Sequence, residues 1–551
     1  MKTRLTVILA LSLSCATSPP MSTAPSSDTK VAKDASGDGP VLLENARVWG
    51  HPEANAVLVA GNTIAKIGDA RTLRAWTASR SLNMNGGLIV PGFHDGHIHL
   101  LGGGLSLARV QLNGAKTLAD TLAIIKKYAD DHPDRPWIVG RGFSYDIVPA
   151  GTFPTATMLD AVVKDRPVAV DAYDGHTAWL NTKALELANI TKDTKDPPDG
   201  RIARDAQGHP TGALLEGAEA LLDGVVPEPS REEMKAALAA AALSCAQLGI
   251  TGVDAIEGNV EEWDILLELE REGRLPIRVD VILPIEGDLD AYVQMRARGT
   301  ERVRLIGTKG FVDGVVEAKT AFMKEPFMGG SELGKALIPP ARLFELVNAS
   351  AQRGLAVALH AIGDAAVSLS LDAFERANKL TSGPLRHRVE HIEVLDPKDA
   401  PRFARIGALA SMQPYHSIPG EPEPDSGAWS ENLGKARLQE RAFAWRVLLD
   451  ANATLYFGSD WPVFTHNPLQ GVAVAVSRQN DNAFPPGGWY PKQKLTPAEA
   501  ITGYAHGRTL AEGQPADLVV LPSSVNLEDA RSLWPAAPSL VMVNGVVVSS
   551  R

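Results

Sequence analysis

"GLIVPGFHDGHIH", residues 87–99, places His97 and His99 one residue apart after an apolar run. The apolar residues 87–90 are typical of a buried strand, and alternate residues of a strand project from the same face. The two imidazoles would therefore point in the same direction. Because neutral imidazole is the commonest metal ligand in proteins, the pair indicates a metal site at a strand end. The alternative interpretation is a pair of partly exposed loop histidines.

Strand-like and helix-like sequences alternate beyond this stretch. The strand-like runs include "RPWIVGRGF", "RPVAVDAY", "GITGVDAI", "IRVDVILPI", "VRLIGTKGFVDG", "LAVALHA", "RHRVEHIEV", "GALASMQP" and "ATLYFGSD". Runs such as "REEMKAALAAAALSCAQLG" lie between some of them and are typical of helices. This alternation predicts a parallel sheet. The number of units favours an α/β fold of the (β/α)8 TIM-like barrel type over a doubly wound sheet.

The two ends of the chain predict a second, smaller domain. "ANAVLVAGNTIAKIG" near the amino end and "PSLVMVNGVVVSSR" at the carboxyl end are short β-like pieces with Gly and Asn turns. We therefore expect residues 41–87 and 512–551 to form one β-sandwich domain and residues 88–511 to form the barrel. The segment at about 145–235 is too long for a single connection and is expected to be an insertion.

Polar residues able to bind a metal stand at the ends of several strand-like runs. They are His97, His99, Lys309, His360, His391 and Asp460. In a (β/α)8 barrel the carboxyl ends of the strands converge on one mouth, where active sites lie. A single buried histidine would be explained more simply as a partner for a backbone carbonyl. Six such residues in this order instead indicate one metal centre built from distant parts of the chain.

At these motifs the chain resembles the amidohydrolase superfamily, specifically its type 3 branch, which includes the N-substituted formamide deformylases. The motifs that carry the resemblance include "PGFHDGHIH", "DGHTAWLNTKAL", "TKGFVDG", "HAIGDAAV", "RHRVEHIEV", "SMQPYH" and "GSDWPV". The resemblance extends over nearly all of residues 41–551. It implies a metal-bearing barrel with a β-sandwich domain made from both termini, in agreement with the pattern of strands and helices.

The resemblance also implies a role for each strand-end residue. His97 and His99 would bind the more buried metal, and His360 and His391 the second one. Lys309 would bridge the two metals after its amine has reacted with carbon dioxide to form a carbamate, although a surface lysine is the alternative. Asp460 would be both a metal ligand and the catalytic acid/base. Two divalent metals per chain are expected, with zinc first and iron, nickel or manganese also compatible with nitrogen and oxygen ligands.

A second group of residues is expected to border the substrate. These residues are His176, Gln413, Tyr415 and His416. For His176 a helix-capping or packing role is an equally good interpretation. After "FVDG" the sequence "VVEAKTA" departs from the Gly-Ser-Arg-containing stretch of many relatives, so Glu317 and Lys319 make inference of the substrate by analogy unsafe.

The predicted activity is hydrolysis of a C–N bond, other than a peptide bond, in a small amide or cyclic amide. A bound divalent metal lowers the pKa of water towards about 7, so hydroxide is available at neutral pH. Asp460 can take a proton from this water and return it to the leaving nitrogen. An ester or lactone hydrolase using the same metal site is the nearest alternative. A non-catalytic, lipid-anchored solute-binding protein is an alternative from another class.

The amino-terminal residues resemble a bacterial lipoprotein signal. Lys2 and Arg4 precede the apolar run Leu5–Leu13, and Cys15 follows it. This pattern predicts a signal segment over residues 1–15 whose cysteine is acylated, and the Ser- and Pro-rich residues 16–40 predict a disordered tether. The protein is therefore expected to be an exported periplasmic or cell-envelope lipoprotein. Ser12 departs from the usual lipobox, so ordinary signal cleavage remains an alternative.

Charge and composition restrict the partners. The 551-residue chain has a formal net charge of −11 and no basic run, which argues against nucleic-acid binding. Contact with a membrane is expected only through a lipid anchor at Cys15. The sequence does not determine the oligomeric state, and a homo-oligomer is compatible with it.

Overall fold

The computed structural model describes residues 39–76, 80–149, 152–173, 177–197, 200–256, 258–383, 385–418 and 423–551. Cys15, the signal segment, the tether up to residue 38 and His176 lie outside the described residues. Within the described chain, contacts between residues define two compact units. One unit is Gly104–Ala237, and the other contains residues up to Gly103 together with Leu238–Arg551.

The strands are, in chain order, β1 (Val41–Glu44), β2 (Arg47–Val48), β3 (Ala56–Ala60), β4 (Thr63–Gly68), β5 (Arg80–Asn83), β6 (Leu88–Pro91), β7 (Phe93–Ile98), β8 (Val110–Gln111), β9 (Ile138–Phe143), β10 (Val168–Ala172), β11 (Thr177–Leu180), β12 (Gly200–Arg204), β13 (Pro210–Glu216), β14 (Ile250–Ala255), β15 (Arg278–Pro284), β16 (Val303–Phe311), β17 (Ala356–Ala361), β18 (Arg388–His391), β19 (Leu409–Met412), β20 (Thr454–Phe457), β21 (Leu518–Leu521), β22 (Leu540–Val543) and β23 (Val546–Ser550).

The α-helices are α1 (Ala70–Leu73), α2 (Leu100–Leu107), α3 (Leu118–Asp131), α4 (Ala156–Asp160), α5 (Thr182–Leu187), α6 (Arg231–Gln247), α7 (Val260–Arg271), α8 (Leu289–Ala297), α9 (Pro340–Gln352), α10 (Asp364–Ala377), α11 (Ala400–Ile406), α12 (Ala428–Leu433), α13 (Lys435–Arg441), α14 (Trp445–Asp450), α15 (Pro468–Ser477), α16 (Pro497–Ala505) and α17 (Ala530–Leu533). Among the described residues, no helix combines the length and the apolar composition that crossing a membrane requires.

Eight parallel strands form the barrel in the order β7, β14, β15, β16, β17, β18, β19, β20. Helices between them cover the strands, so the strands are buried and largely apolar. Helix α10 illustrates the pattern, because Val367, Leu371 and Phe374 bury one face at helical spacing. Burying such a side chain contributes about 1.5–3 kcal/mol. The predicted (β/α)8 barrel is confirmed.

Backbone hydrogen bonds close the seam between the last strand and the first. The N–H of Asp460, just after β20, donates to the carbonyl of His97 at 2.7 Å. The N–H of His99, just after β7, donates to the carbonyl of Trp461 at 3.0 Å. The segments that carry three of the predicted metal ligands therefore lie side by side.

Two further sheets are formed by strands near the two ends of the chain, and the second of them combines both ends. One sheet has the order β4-β3-β1-β5 and the other β2-β6-β21-β22-β23. Leu43 and Val57 of the first sheet share one hydrophobic cluster with Ile89, Leu518 and Met542 of the second. This is the packing of two sheets face to face that the sequence pattern predicts. The domain boundaries given above stay a prediction.

Two details differ from the sequence-based expectation. The apolar run before the histidine pair is β6, which belongs to the sheet β2-β6-β21-β22-β23. His97 instead lies in the next strand, β7, and His99 directly follows that strand. The runs "RPWIVGRGF" and "RPVAVDAY" form β9 and β10, which lie in a separate sheet of the order β12-β13-β11-β10-β9-β8. An apolar run reveals a buried strand but not the sheet to which that strand belongs. This mixed sheet lies within the unit Gly104–Ala237, which also contains the predicted insertion.

Candidate metal centre

The strand-end residues predicted to bind metal all lie at the carboxyl-terminal side of the barrel strands. His97 and His99 are at the end of β7, Lys309 near the end of β16, His360 and His391 at the ends of β17 and β18, and Asp460 just after β20. The side chains of five of them are buried, and that of His99 is partly exposed. The structure therefore brings this set to one mouth of the barrel.

Asp460 lies among three imidazoles. Its Oδ1 is 3.1 Å from Nε2 of His99 and 3.4 Å from Nε2 of His97, and its Oδ2 is 3.6 Å from Nε2 of His416. Burial raises the pKa of Asp460, but the charges and contacts of His97 and His99 outweigh burial and hold this pKa well below its usual value. Asp460 is therefore a carboxylate.

The two oxygens of Asp460 are the strongest sign of a bound cation. Both are buried, and neither has a hydrogen-bond partner among the described residues. A buried carboxylate whose oxygens accept no hydrogen bond is costly, and a divalent cation would satisfy both oxygens. One ligand atom from each of His97, His391 and Asp460 lies within 4.8 Å of the others. Two imidazoles and a carboxylate are donors that zinc and similar metals bind, so these residues fit a metal.

His360 and His391 complete a row of imidazoles. The ring centroid of His391 is 4.8 Å from that of His97 and 4.5 Å from that of His360. Burial, followed by the positive charge of Lys309, lowers the pKa of His360 to about 3. The imidazole is therefore neutral, which is the form that binds a metal. Its Nδ1 is buried and has no hydrogen-bond partner in the described part of the chain.

Lys309 projects from β16 into the same region. Its side chain is 3% exposed, and its Nζ lies 4.9 Å from the centroid of the Phe311 ring. Its charge contributes to lowering the pKa of His360 and of His391, as expected for an ammonium group near these imidazoles. A surface lysine, the alternative considered above, does not match this position. The bridging role stays a prediction.

The Nδ1 atoms of two of these histidines are held by neighbouring side chains. Nδ1 of His97 lies 2.7 Å from Oε2 of Glu390, and Nδ1 of His391 lies 2.9 Å from Oε1 of Gln413. In each ring this leaves Nε2 for a metal, and such partners typically orient metal-binding histidines. Gln413, predicted to border the substrate, thus contacts a predicted ligand. Glu390 was not identified from the sequence, although a charged residue within the buried strand β18 was a signal.

The other residues expected to border the substrate have different surroundings. Nδ1 of His416 is 3.4 Å from Oε1 of Glu393, whose Oε2 accepts the indole N–H of Trp429 at 2.9 Å. The ring of Tyr415 packs 5.4 Å from that of Phe464. His416 therefore joins Glu393 to Asp460, whereas Tyr415 is part of an aromatic cluster. Contact of these residues with substrate stays a prediction, and His176 is outside the described residues.

The backbone is strained at two of the predicted ligands. His391 has φ 74° and Asp460 has φ 59°, in the left-handed region that side chains other than glycine rarely adopt. Each such residue costs of order 1–3 kcal/mol, which the surrounding structure must supply. Such strain clusters at functional sites, and here it aims both side chains at the centre.

A second cluster of buried metal-binding residue types lies deeper in the barrel. It contains His94, Asp254 and Asp280. Here the carboxylates already have cationic partners, because Arg388 pairs with Asp254 and Arg304 pairs with Asp280. This charge balance identifies the cluster as an ion-pair network rather than a metal site.

Comparison with known proteins assigns this arrangement to a family. A family model described as "Amidohydrolase family" matches residues 81–549, which include the whole barrel. The chain belongs to the amidohydrolase family. The resemblance inferred from the histidine motifs is therefore confirmed.

Several known proteins are similar to this chain over most of its length. The chain is 30% identical over 504 residues to Protein LONG AFTER FAR-RED 3 of Arabidopsis thaliana, covering 86% of this chain and 85% of that protein. It is 24% identical over 510 residues to N-substituted formamide deformylase of Arthrobacter pascens, covering 85% and 90%. A crystal structure of an uncharacterized metal-dependent hydrolase from Pyrococcus horikoshii OT3 has the same fold, with a TM-score of 0.71, 24% identity, and coverage of 90% of this chain and 99% of that one.

Proposed function

We propose that this protein is a metal-dependent hydrolase that cleaves the C–N bond of a small amide or cyclic amide. Membership of the amidohydrolase family supports the reaction class, and a relative named for deformylation of N-substituted formamides supports the bond type. The observation that carries the proposal is the Asp460 carboxylate, which is buried among imidazoles with no hydrogen-bond partner among the described residues.

The residues that would hold metal are the strand-end set, His97, His99, Lys309, His360, His391 and Asp460. A divalent metal bound there would lower the pKa of water and polarise the substrate carbonyl. We propose two metals, with zinc first, and a carbamate on Lys309. The row of neighbouring rings from His97 through His391 to His360 supports more than one metal position.

Asp460 is the proposed acid/base. Its pKa lies well below the usual value, so the group is ionised at neutral pH and would be the base that takes a proton from the attacking water. It can then give that proton to the leaving nitrogen, so that the amine departs neutral. His416 lies between Glu393 and Asp460, so its ring occupies one side of the Asp460 carboxylate.

Elemental analysis and a substrate screen test the proposal. Protein purified without chelator should contain close to two divalent metals per chain. It should hydrolyse at least one compound in a panel of N-formyl, N-acyl and cyclic amides, and removal of the metal should abolish this activity. Turnover of esters or lactones alone would show that the protein cleaves a C–O bond and not the proposed C–N bond. Metal-loaded protein that binds a panel compound but never turns one over would favour a binding protein.

We also propose that the protein works in the cell envelope of a bacterium, attached through acylated Cys15. The charged start, the apolar run and the cysteine support this location, and one acyl-bearing cysteine on a flexible tether would leave the barrel exposed to water. Replacing Cys15 by Ser should release the protein from the membrane fraction. Wild-type protein that is already fully soluble after export would exclude the lipid anchor, and ordinary signal cleavage would be the remaining interpretation.

A further inference from the structure

Asp254 lies on the amino-terminal side of the metal centre. Its carboxylate contacts polar side chains from three other barrel strands. Nε2 of His94, on β7, lies 2.7 Å from Oδ1 of Asp254. The hydroxyl of Tyr456, on β20, donates to Oδ2 at 2.9 Å. The guanidinium of Arg388, on β18, pairs with the same Oδ2. All of these side chains are buried, so water does not compete for their contacts with Asp254. Asp254 is therefore a fixed anchor for its partners.

Arg388 extends from this anchor towards the metal centre. Its Nε lies 2.6 Å from Oε1 of Glu390, as an ion pair rather than an aligned hydrogen bond. The other oxygen of Glu390 lies 2.7 Å from Nδ1 of His97. A buried chain of charged groups therefore runs from Asp254 through Arg388 and Glu390 to a predicted metal ligand. Arg388 itself contacts no predicted metal ligand among the described residues.

The chain depends on the shape of arginine. The guanidinium is a planar fork that can contact two carboxylates at once, and here it joins Asp254 to Glu390. A lysine ammonium has the charge but not the fork. Without Arg388, the Glu390 carboxylate would lose the guanidinium that joins it to Asp254, so nothing in this chain of contacts would hold it in its place. Rotation of the carboxylate would release Nδ1 of His97.

We propose that Arg388 is a positioning residue of the metal centre. Held in place by Asp254, it fixes the Glu390 carboxylate, which in turn holds the His97 ring with Nε2 facing the metal. This inference rests on the proposed metal-dependent function. Loss of a group that orients a metal ligand typically weakens metal binding 10–100-fold, so we expect an effect of about that size from a residue that does not touch the metal.

Arg304 provides a control. It pairs with Asp280 through an Nε to Oδ1 contact of 2.7 Å in the neighbouring part of the same network. Neither residue contacts a predicted metal ligand among the described residues. Replacing Arg304 by Met therefore removes a charge and an ion pair without breaking the chain to His97. Any general effect of disturbing the network should appear in this variant as well.

The test is zinc affinity, measured by competition with a chromophoric chelator, together with thermal unfolding of the metal-free proteins. R388M and E390Q should each weaken zinc binding about 10–100-fold, whereas R304M should bind zinc as wild type does. Because Arg388 acts through Glu390, the double variant R388M/E390Q should bind zinc no more weakly than E390Q alone. The d–d spectrum of the cobalt-loaded protein should change in R388M and E390Q but not in R304M.

Folded R388M with wild-type zinc affinity would overturn the inference. So would a double variant in which the two single effects multiply. If R388M does not fold, R388K replaces it, since the ammonium keeps the charge but cannot bridge both carboxylates, and wild-type affinity in R388K would be equally decisive. Wild-type protein that binds no divalent metal would overturn the proposed function, whereas normal wild-type binding with an unaffected R388M would overturn only this inference.

Discussion

Oδ1 of Asp95 accepts the backbone N–H of Ser459 at 2.9 Å, so a side chain of the first barrel strand holds the segment that follows the last one. The same oxygen accepts the N–H of His97 at 3.1 Å. One buried carboxyl group therefore fixes the backbone on both sides of the seam, beside the predicted ligands His97 and Asp460. The histidine motif includes this aspartate as a structural clamp.

Replacing Asp95 by Ala should destabilise the protein and weaken metal binding together. Two buried N–H groups, those of His97 and Ser459, would lose their acceptor, and each such loss costs about 1–3 kcal/mol. Urea unfolding and metal titration measure the two effects. Asp95→Asn keeps an oxygen at this position and should lose less. Equal loss in the two variants would show that charge, rather than the hydrogen bonds, is what the seam requires.

Replacing Asp460 by Asn should separate chemistry from metal binding. Asparagine has nearly the same shape and still offers an oxygen, but it cannot take up a proton. We expect kcat to fall by about 10²–10⁴, with the metal largely retained. Turnover, metal content and thermal unfolding should be measured side by side on the best amide found in the screen. Wild-type turnover by metal-loaded Asp460→Asn would contradict the proposed acid/base role.

Replacing Lys309 by Ala should remove at least one metal per chain. A buried lysine at this position is expected to serve as a metal bridge only as its carbamate, and alanine offers no ligand. Elemental analysis checks the metal content, and native mass spectrometry of the wild type should show a carbon dioxide adduct that Lys309→Ala lacks. Lys309→Met, which has a similar volume, is the control for packing. Full metal content and activity in either variant would exclude the lysine from the centre.

His387 should make stability sensitive to acid. Burial lowers the pKa of His387 from 6.5 to about 4, and its Nδ1 accepts the N–H of Val357 at 3.0 Å. Because the unfolded chain takes up the proton at higher pH than the folded one, the stability is present above pH 6.5 and is lost as pH falls towards 4. Between pH 8 and pH 5 this group should cost about 2 kcal/mol of unfolding free energy.

The measurement for His387 is urea unfolding of metal-free wild type and His387→Gln at both pH values. The glutamine oxygen can still accept a hydrogen bond but does not titrate. The decrease in stability between pH 8 and pH 5 should therefore be smaller in the variant by about the stated amount. Parallel curves for the two proteins would show that His387 titrates normally.

The sequence predicted the barrel and the strand-end residues because both rest on local patterns. Parallel strands buried on both faces read as apolar runs, and a ligand such as His360 is the polar residue at the end of its run. Sheet membership was not predictable in this way. The apolar run at β6 and the histidine-bearing strand β7 lie in different sheets, although a single residue, Gly92, separates the two strands.

The residues that orient the predicted ligands could also not be predicted from the sequence. Glu390 and His97 are distant in the chain, and nothing in either local pattern indicates that they touch. The same holds for Arg388 and Asp254, which meet across the barrel interior. A charged residue inside a buried strand indicates that a partner exists, but only the arrangement of the strands identifies it.

The seam between β20 and β7 has a consequence for the order in which the centre forms. His97 and His99 lie at the end of the first barrel strand, whereas Asp460 follows the last one. A partly folded chain can bury most of its strands and yet have no complete centre. Pairing of the first and last strands is a contact between distant parts of the chain, and such contacts form slowly. We therefore expect the centre to be completed late in folding, so that a compact intermediate would still be inactive.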